Sequence, residues 1–519
     1  MPLGPFIGRP PGSVKGIKNG GTPELPEPDR SELSCAGARI LPIYLHVRAC
    51  APILLFLLAL PISAQERDSR TFSDRLDAAV QSLKLKNAAI GVFVASARTG
   101  QAVYSWSERA PLLLASNTKV LTTSAALCRL GPDFKFRTSA GVLDGDLHVF
   151  GGGDPNISGR FHDDDPTAIF RDWAARIRAA GVTKANRLVL HTGIFDDTHL
   201  HPGWRNYDLW TWWAAPFGAL SLNDNCVDLR VAPAGEGQPC RVSIVPDTSF
   251  VTIVNQTRSA AKSGRSTFAF ARTAGTNTIT LRGEVGGRGS SWVAVHDPTL
   301  YFGTVLKETL GSAGVVIAGE IEESAQLIED ARGYKELAFF ESDLASTVST
   351  CNQGSQNFYA EMIFRTLGWK MKGKGSTDAS TQAVREFLTK EVGLEDFDQI
   401  DGSGLSRDNR MSAAEMVKLL LYMRRQPAWQ AFIDSLPVNG DKRGTLKHRM
   451  LSPDLRNRIR AKTGHVGGVS SLSGYIDATN GDTYAFSIIV NAAGDQTKMG
   501  LADQMEDRIC EVLARNTGE

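Results

Sequence analysis

The sequence predicts an α/β chain of the α+β kind, an antiparallel sheet flanked by helices and interrupted by a β-rich insertion. Three observations predict it. Helical periodicity and strand alternation occur together near both ends, before about residue 139 and after about 335. The stretch between them consists mostly of short β-rich runs separated by glycine-rich turns. The chain has 519 residues, with 42% hydrophobic and 22% charged, which suits a globular protein of more than one core. Together these give a discontinuous domain, 65–139 and 335–519, around an inserted module at 140–334 made of two subdomains.

The elements follow in order. Residues 69–86 have an amphipathic helical pattern. Strands at 88–97 and 102–106 flank the Arg98-Thr99-Gly100 turn. A helix starts at Ser116, carries Val120, Leu121, Ala125 and Leu127 inward, and stops at Gly131-Pro132. In the middle, strands are expected at 187–190, 227–231, 242–245, 278–281 and 292–295, with one helix at 168–180. Helices return at 357–367, 381–391 and 413–424, the last with a capping box at Ser412 and Glu415. Strands at 458–462, 471–477 and 484–491 precede a final amphipathic helix at 498–515.

The first 64 residues are a separate object. Residues 1–50 hold 8 of the 23 prolines. Residues 51–62 are apolar throughout, follow Arg48 and precede Ser63-Ala64-Gln65. Twelve apolar residues are too few to span a bilayer but fit a signal peptide cleaved near Ala64, and Pro52 and Pro61 would break a core helix. Export to the periplasm follows, with contact to the membrane peripheral at most. The residues upstream of the apolar run fit a start codon placed too early or a long n-region. Lys plus Arg exceeds Asp plus Glu by one residue, 57 against 56. That argues against a nucleic-acid partner bound through bulk charge, though not against a local basic patch. After the leader, Cys128, Cys226, Cys240, Cys351 and Cys510 remain, an odd and widely spaced set that is no disulfide scaffold. Cys226 and Cys240 flank a hairpin and are either paired or buried thiols.

Three short motifs carry the chemistry. Ser116-Asn117-Thr118-Lys119 opens a helix, and residues three apart share a face, so the lysine amine can sit over the serine hydroxyl. A serine nucleophile needs an adjacent base, and a lysine serves only when desolvation or a second cation lowers its pKa. Ser355-Gln356-Asn357, on a loop opening a helix, offers a hydroxyl for proton relay and an amide for substrate. Lys462-Thr463-Gly464, on a strand, offers the second cation, a hydroxyl and an open strand edge. Each motif has a decoy: Ser259 to Lys262, Lys262 to Gly264, and Ser221 to Asn223. Lys262 cannot serve both of its decoys, the order is wrong because Ser221 precedes Ser259, and no apolar helix follows Ser259. No cofactor is implied.

That order of motifs resembles the serine penicillin-recognising enzymes. With Gly151-Gly-Gly-Asp154-Pro155, Ala219-Leu-Ser-Leu-Asn223, Glu361, Arg365-Thr-Leu-Gly368 and Asp401-Gly-Ser-Gly-Leu-Ser-Arg407, residues 70–515 resemble the D-alanyl-D-alanine carboxypeptidase/endopeptidase family, the class C low-molecular-mass penicillin-binding proteins. The 239 residues from Ser116 to Ser355 suit a family with inserted domains. The resemblance implies a β-lactamase/transpeptidase-like domain and an exported enzyme acting on peptidoglycan stem peptides and acylated by β-lactams. Ser116 would be the nucleophile, Lys119 its base, Ser355 the relay, and Asn357 the amide holder. Lys462 and Thr463 would bind the terminal carboxylate, with Gly464 leaving room and the backbone N–H groups of Ser116 and His465 forming the oxyanion hole. Arg407 is a candidate substrate contact. Gln356 and His465 depart from the commoner residues at their positions.

The alternatives are a β-lactamase, for which no clear Glu-x-x-x-Asn signature is seen, and a non-catalytic cell-wall binding protein, against which the retention of all three motifs argues. His199 and His201 read as a surface loop, since no third metal ligand accompanies them. Asp163-Asp-Asp165 reads as a solvated turn before a helix. Trp210, Trp212 and Trp213 read as a packed seam rather than a sugar platform. Asp224 is a candidate contact for a diaminopimelate amine.

Overall fold

The structure, a computed structural model, describes residues 70–83, 85, 87–204, 209–261, 266–327, 333–492 and 499–518. The expected leader with its cleavage site, and Lys262 of the decoy motifs, lie outside the described residues.

A five-stranded antiparallel sheet organises both chain ends, in the order Ile459–Val466, Val469–Asp477, Thr483–Asn491, Ala89–Ser96, Ala102–Trp106. Period-two alternation sorts its side chains between two cores. Val92, Val94, Phe486, Ile488 and Val490 face the helices Phe72–Gln81 and Met499–Ala514. Ala95, Ala485 and Ile489 face a larger layer that includes Thr118–Arg129, Leu344–Gln353, Asn357–Lys372, Thr377–Phe387 and Ala413–Met423. The alternation that predicts the strands thus also decides which helix layer each residue meets. The first helix is shorter than expected, ending at Gln81, and Thr71 closes a capping box with Asp74 at its start.

The middle holds a second five-stranded sheet, Ile321–Ser324, Leu188–His191, Asp146–Phe150, Lys135–Leu143, Lys335–Asp343, and two three-stranded sheets. Its outermost pair joins Lys135–Leu143, which runs across the expected boundary at 139/140, to Lys335–Asp343, which starts just past the one at 334/335. One cluster of buried side chains joins this sheet to the others, from Leu147 and Leu190 to Leu229, Ile244 and Leu281.

The expectation of a single helix here is corrected. Pro298–Ser312 is a second one, capped by the Asp297 side chain with Pro298 in its first turn. It buries Tyr301, Phe302, Val305, Leu306 and Leu310, and Gly303 lets it press against Leu190. A further helix, Leu344–Gln353, was not expected; it is capped by Asp343. Cys226 and Cys240 are both buried and outside any disulfide, so the pairing alternative falls. Among the described residues no helix is long and apolar enough to cross a membrane.

Candidate active site

Ser116 sits in a tight turn, Ala115–Asn117, that runs directly into the helix Thr118–Arg129. The turn is held by a residue the motif reading passed over. Asn117 is fully buried and its amide donates to the Lys462 carbonyl, the Ser471 carbonyl and Ser471 Oγ, at 3.2, 3.2 and 2.7 Å. It ties the Ser116 turn to the strand Ile459–Val466, whose middle is Lys462-Thr463-Gly464.

Lys119 is fully buried. Its Nζ lies 2.6 Å from Asn357 Oδ1, 2.7 Å from the Ser403 carbonyl and 2.9 Å from Ser116 Oγ. Burial lowers its pKa to about 8, against the opposing pull of Cys351, Asp401 and Glu361. A neutral amine has two N–H bonds and one lone pair. The two carbonyl oxygens accept only, so they take the N–H groups and leave the lone pair for the Ser116 hydroxyl proton. Asn357 is oriented for this, since its own amide donates to the Trp213 carbonyl at 2.7 Å.

The Ser403 carbonyl comes from the Asp401–Arg407 loop. Asp401 accepts from the Gly404 and Ser406 N–H groups, Asn409 Nδ2 and Trp204 Nε1, which wraps the loop around one carboxylate. Gly404 has φ +84°, and a Cβ there would lie 1.9 Å from the Ala115 carbonyl oxygen. Burial, then the Asp401 charge, pushes the Glu361 carboxyl up to about 8.

The second dyad mirrors the first. Lys462, fully buried, donates to Ser355 Oγ at 2.8 Å and to the Thr463 carbonyl at 2.7 Å. Burial, and then the nearby Lys119 charge, holds its pKa well below the usual lysine range. Ser355 has φ +53°, a left-handed conformation rare for serine and typical of functional sites. Arg407 donates to the Gly467 carbonyl at 2.8 Å, linking its loop to the turn after the lysine strand.

Gly464 packs where no side chain fits. A Cβ would lie 2.4 Å from Ser471 Oγ and 2.9 Å from both Ser116 N and the Leu114 carbonyl. Gly464→Ala is expected to cost about 1–3 kcal/mol of stability and to slow penicillin acylation about tenfold or more, by displacing the Ser116 N–H. An acylation rate within twofold of the parent would refute the close-approach argument.

His465, the residue after this motif, points away to the last helix. Its Nε2 is 2.7 Å from Asp503 Oδ1, and Ser470, Glu506 and Arg449 complete the network. Burial opposes its charge, but the Asp503 hydrogen bond and the charges of Asp503 and Glu506 prevail and raise the pKa. A raised histidine pKa stabilises fully below about 6.5 and is lost as pH climbs through the folded-state value. The melting-temperature gap between parent and Asp503→Asn should be widest near pH 5.5 and shrink by pH 9. A gap independent of pH would sink this reading.

The remaining candidates sort as follows. Asp224 is engaged by Arg160, Tyr359 and Ser158, so its carboxylate is occupied within the fold. Trp210 packs on Phe270 and Trp212 on Trp292, which is a seam. His201 is buried, not on a surface loop, and accepts from the Gly203 N–H; His199 lies 3.0 Å from the Phe217 carbonyl. Asp165 takes the Thr167 N–H beside exposed Asp163 and Asp164 at the helix entrance. Among the described residues no group of three or more potential metal ligands converges.

The model of the D-Ala-D-Ala carboxypeptidase 3 (S13) family matches residues 72–512. The D-alanyl-D-alanine carboxypeptidase of Actinomadura sp. (strain R39) is 30% identical over 476 residues, covering 86% of this chain and 85% of its own. The D-alanyl-D-alanine carboxypeptidase DacB of Haemophilus influenzae is 25% identical, over 78% and 85%. The crystal structure of penicillin binding protein 4 (dacB) from Haemophilus influenzae superposes with a TM-score of 0.71 at 22% identity, over 84% of this chain and 99% of that one. A second structure of that protein, TM-score 0.67 at 21% identity and again over 84% and 99%, is complexed with a β-lactam.

Proposed function

We infer that this chain, which belongs to the D-Ala-D-Ala carboxypeptidase 3 (S13) family and is a serine-type D-Ala-D-Ala carboxypeptidase, works through an acyl-enzyme on Ser116. The observation that carries the mechanism is the contact of buried Lys119 Nζ with Ser116 Oγ at 2.9 Å. Ser116 Oγ attacks the carbonyl of the penultimate D-alanine while Lys119 takes its proton. The Ser116 and His465 N–H groups receive the developing oxyanion. Ser355, fed by Lys462, passes a proton to the leaving amine, and water then hydrolyses the ester. Asn357 holds the substrate amide, and Lys462 and Thr463 bind the terminal carboxylate, with Arg407 at the rim. A β-lactam would acylate the same oxygen, and its opened ring stays attached to the acyl group.

The same acylation serves a D-Ala terminus or a D-Ala-diaminopimelate crosslink in a peptidoglycan stem. The inserted module, whose outer strand pair extends the expected 140–334 to 135–343, reaches this cleft where the Trp213 carbonyl accepts from the Asn357 amide. The apolar run at 51–62 supports export, with the leader removed near Ala64. The test is D-alanine release from a soluble peptide ending in D-Ala-D-Ala, beside cleavage of a crosslinked dimer. Release of neither product, with penicillin consumed, would favour a β-lactamase instead.

A further inference from the structure

We propose, on the footing of the DD-peptidase reading above, that the exposed face of the sheet Arg241–Val245, Cys226–Ala232, Gly289–Ala294 binds free carboxylates of the peptidoglycan polymer, as a contact separate from the catalytic residues. Strand alternation sends Val227, Leu229 and Val231 into the core and turns Arg230 outward. Arg230 pairs in register with Ser243 on one side and Ser290 on the other. Ala232 pairs with Arg241, and the same register continued by one residue sets Arg288 on its other flank. Strands about 4.8 Å apart and residues about 3.3 Å apart place three guanidinium stems within roughly 7–10 Å of one another. They line a surface concavity of about 700 Å³ with Ser243 and Ser290.

Arg230, Arg241 and Arg288 are exposed, and none forms an ion pair among the described residues. Four other surface arginines in the middle of the chain are ion-paired, Arg137 with Glu336 and Glu341, Arg171 with Asp165, Arg176 with Asp172 and Arg187 with Asp146 and Glu322, whereas exposed Arg178, Arg258 and Arg282 are, like the cluster, without an ion pair among the described residues. The nearest acids along the sheet do not offset the cluster. Asp228, on the same face, is buried and accepts from Asn223, and Glu236 lies in the turn between strands. The chain as a whole carries +1, so this concentration of charge is local.

The guanidinium fork matches a carboxylate bidentately, and serine hydroxyls between the forks add donors. Each stem peptide of the polymer carries a free carboxylate, so contacts weak singly add up on an insoluble, multivalent substrate. Such a site would hold the enzyme on the polymer without touching the scissile bond.

The test is co-sedimentation with purified peptidoglycan at low salt, comparing the full chain with its Arg230→Gln/Arg241→Gln/Arg288→Gln variant. Binding by the variant should weaken about tenfold, and salt should erase the difference. The difference should also vanish on peptidoglycan whose carboxylates have been converted to amides, and should survive removal of phosphodiester-linked polymers. Equal sedimentation of parent and variant, a difference that persists on amidated polymer, or one lost with the phosphodiester polymers would overturn the proposal. D-alanine release from a soluble peptide should be the same for both proteins. Its absence in both would count against the DD-peptidase reading, while the sedimentation comparison decides the surface.

Discussion

Ser116→Ala is expected to abolish the penicillin adduct. Intact-mass measurement after exposure to benzylpenicillin should find one added penicillin on the parent and none on the variant. D-Alanine release should fall about 10⁴–10⁶-fold. The loss would be chemical, not structural. Ser116 Oγ is one of three partners of Lys119, and the Asn357 and Ser403 contacts remain to hold the amine. The melting temperature should therefore change little. An adduct that persisted on the variant would move the nucleophile elsewhere.

Lys119→Arg separates charge from basicity. Arginine keeps the cation and the donors but cannot give up a proton, so it cannot accept one from Ser116. Acylation should fall about 10³-fold. In the parent, burial brings the amine down to about 8, so the neutral base is about one tenth of the total at pH 7. The acylation rate should accordingly rise with pH up to about 8 and then level off. The variant should lose this limb. Retention of acylation within tenfold, or a flat parent profile from pH 6 to 9, would remove Lys119 from the role of base.

Much of the site was legible because its chemistry is local in sequence. Ser116 and Lys119 lie three residues apart, in a tight turn and the helix it runs into, and that spacing brings amine to hydroxyl. The order of Ser116, Ser355 and Lys462 survived the decoys because helix, loop and strand could each be read beside its motif. What escaped was set by long-range packing. Asn117 looks like a spacer within its motif, and only its burial against Ser471 and Lys462 makes it the clamp. The acceptors that orient the Lys119 amine are an amide and a main-chain carbonyl, and a carbonyl has no signature in sequence. The helix Pro298–Ser312 was missed although Asp297-Pro298 announces it. Its apolar residues surround much of its circumference, so amphipathic periodicity fades where a helix is buried. Asp224, offered as a substrate contact, reads no differently in sequence from an exposed aspartate, and its partners Arg160 and Tyr359 lie 64 and 135 residues away.

By itself the sequence pointed to the candidate catalytic residues and carried the class of fold and the family, since each rests on residue identity at short spacing or on order along the chain. Tertiary structure alone decided the working state of those residues. It buried Lys119 and Lys462 until their charges became costly, and supplied two acceptors that leave one lone pair for Ser116. It also set three arginines of separate strands on one face, unopposed. Desolvation and convergence depend on atoms brought together from hundreds of residues apart, and no local pattern encodes them.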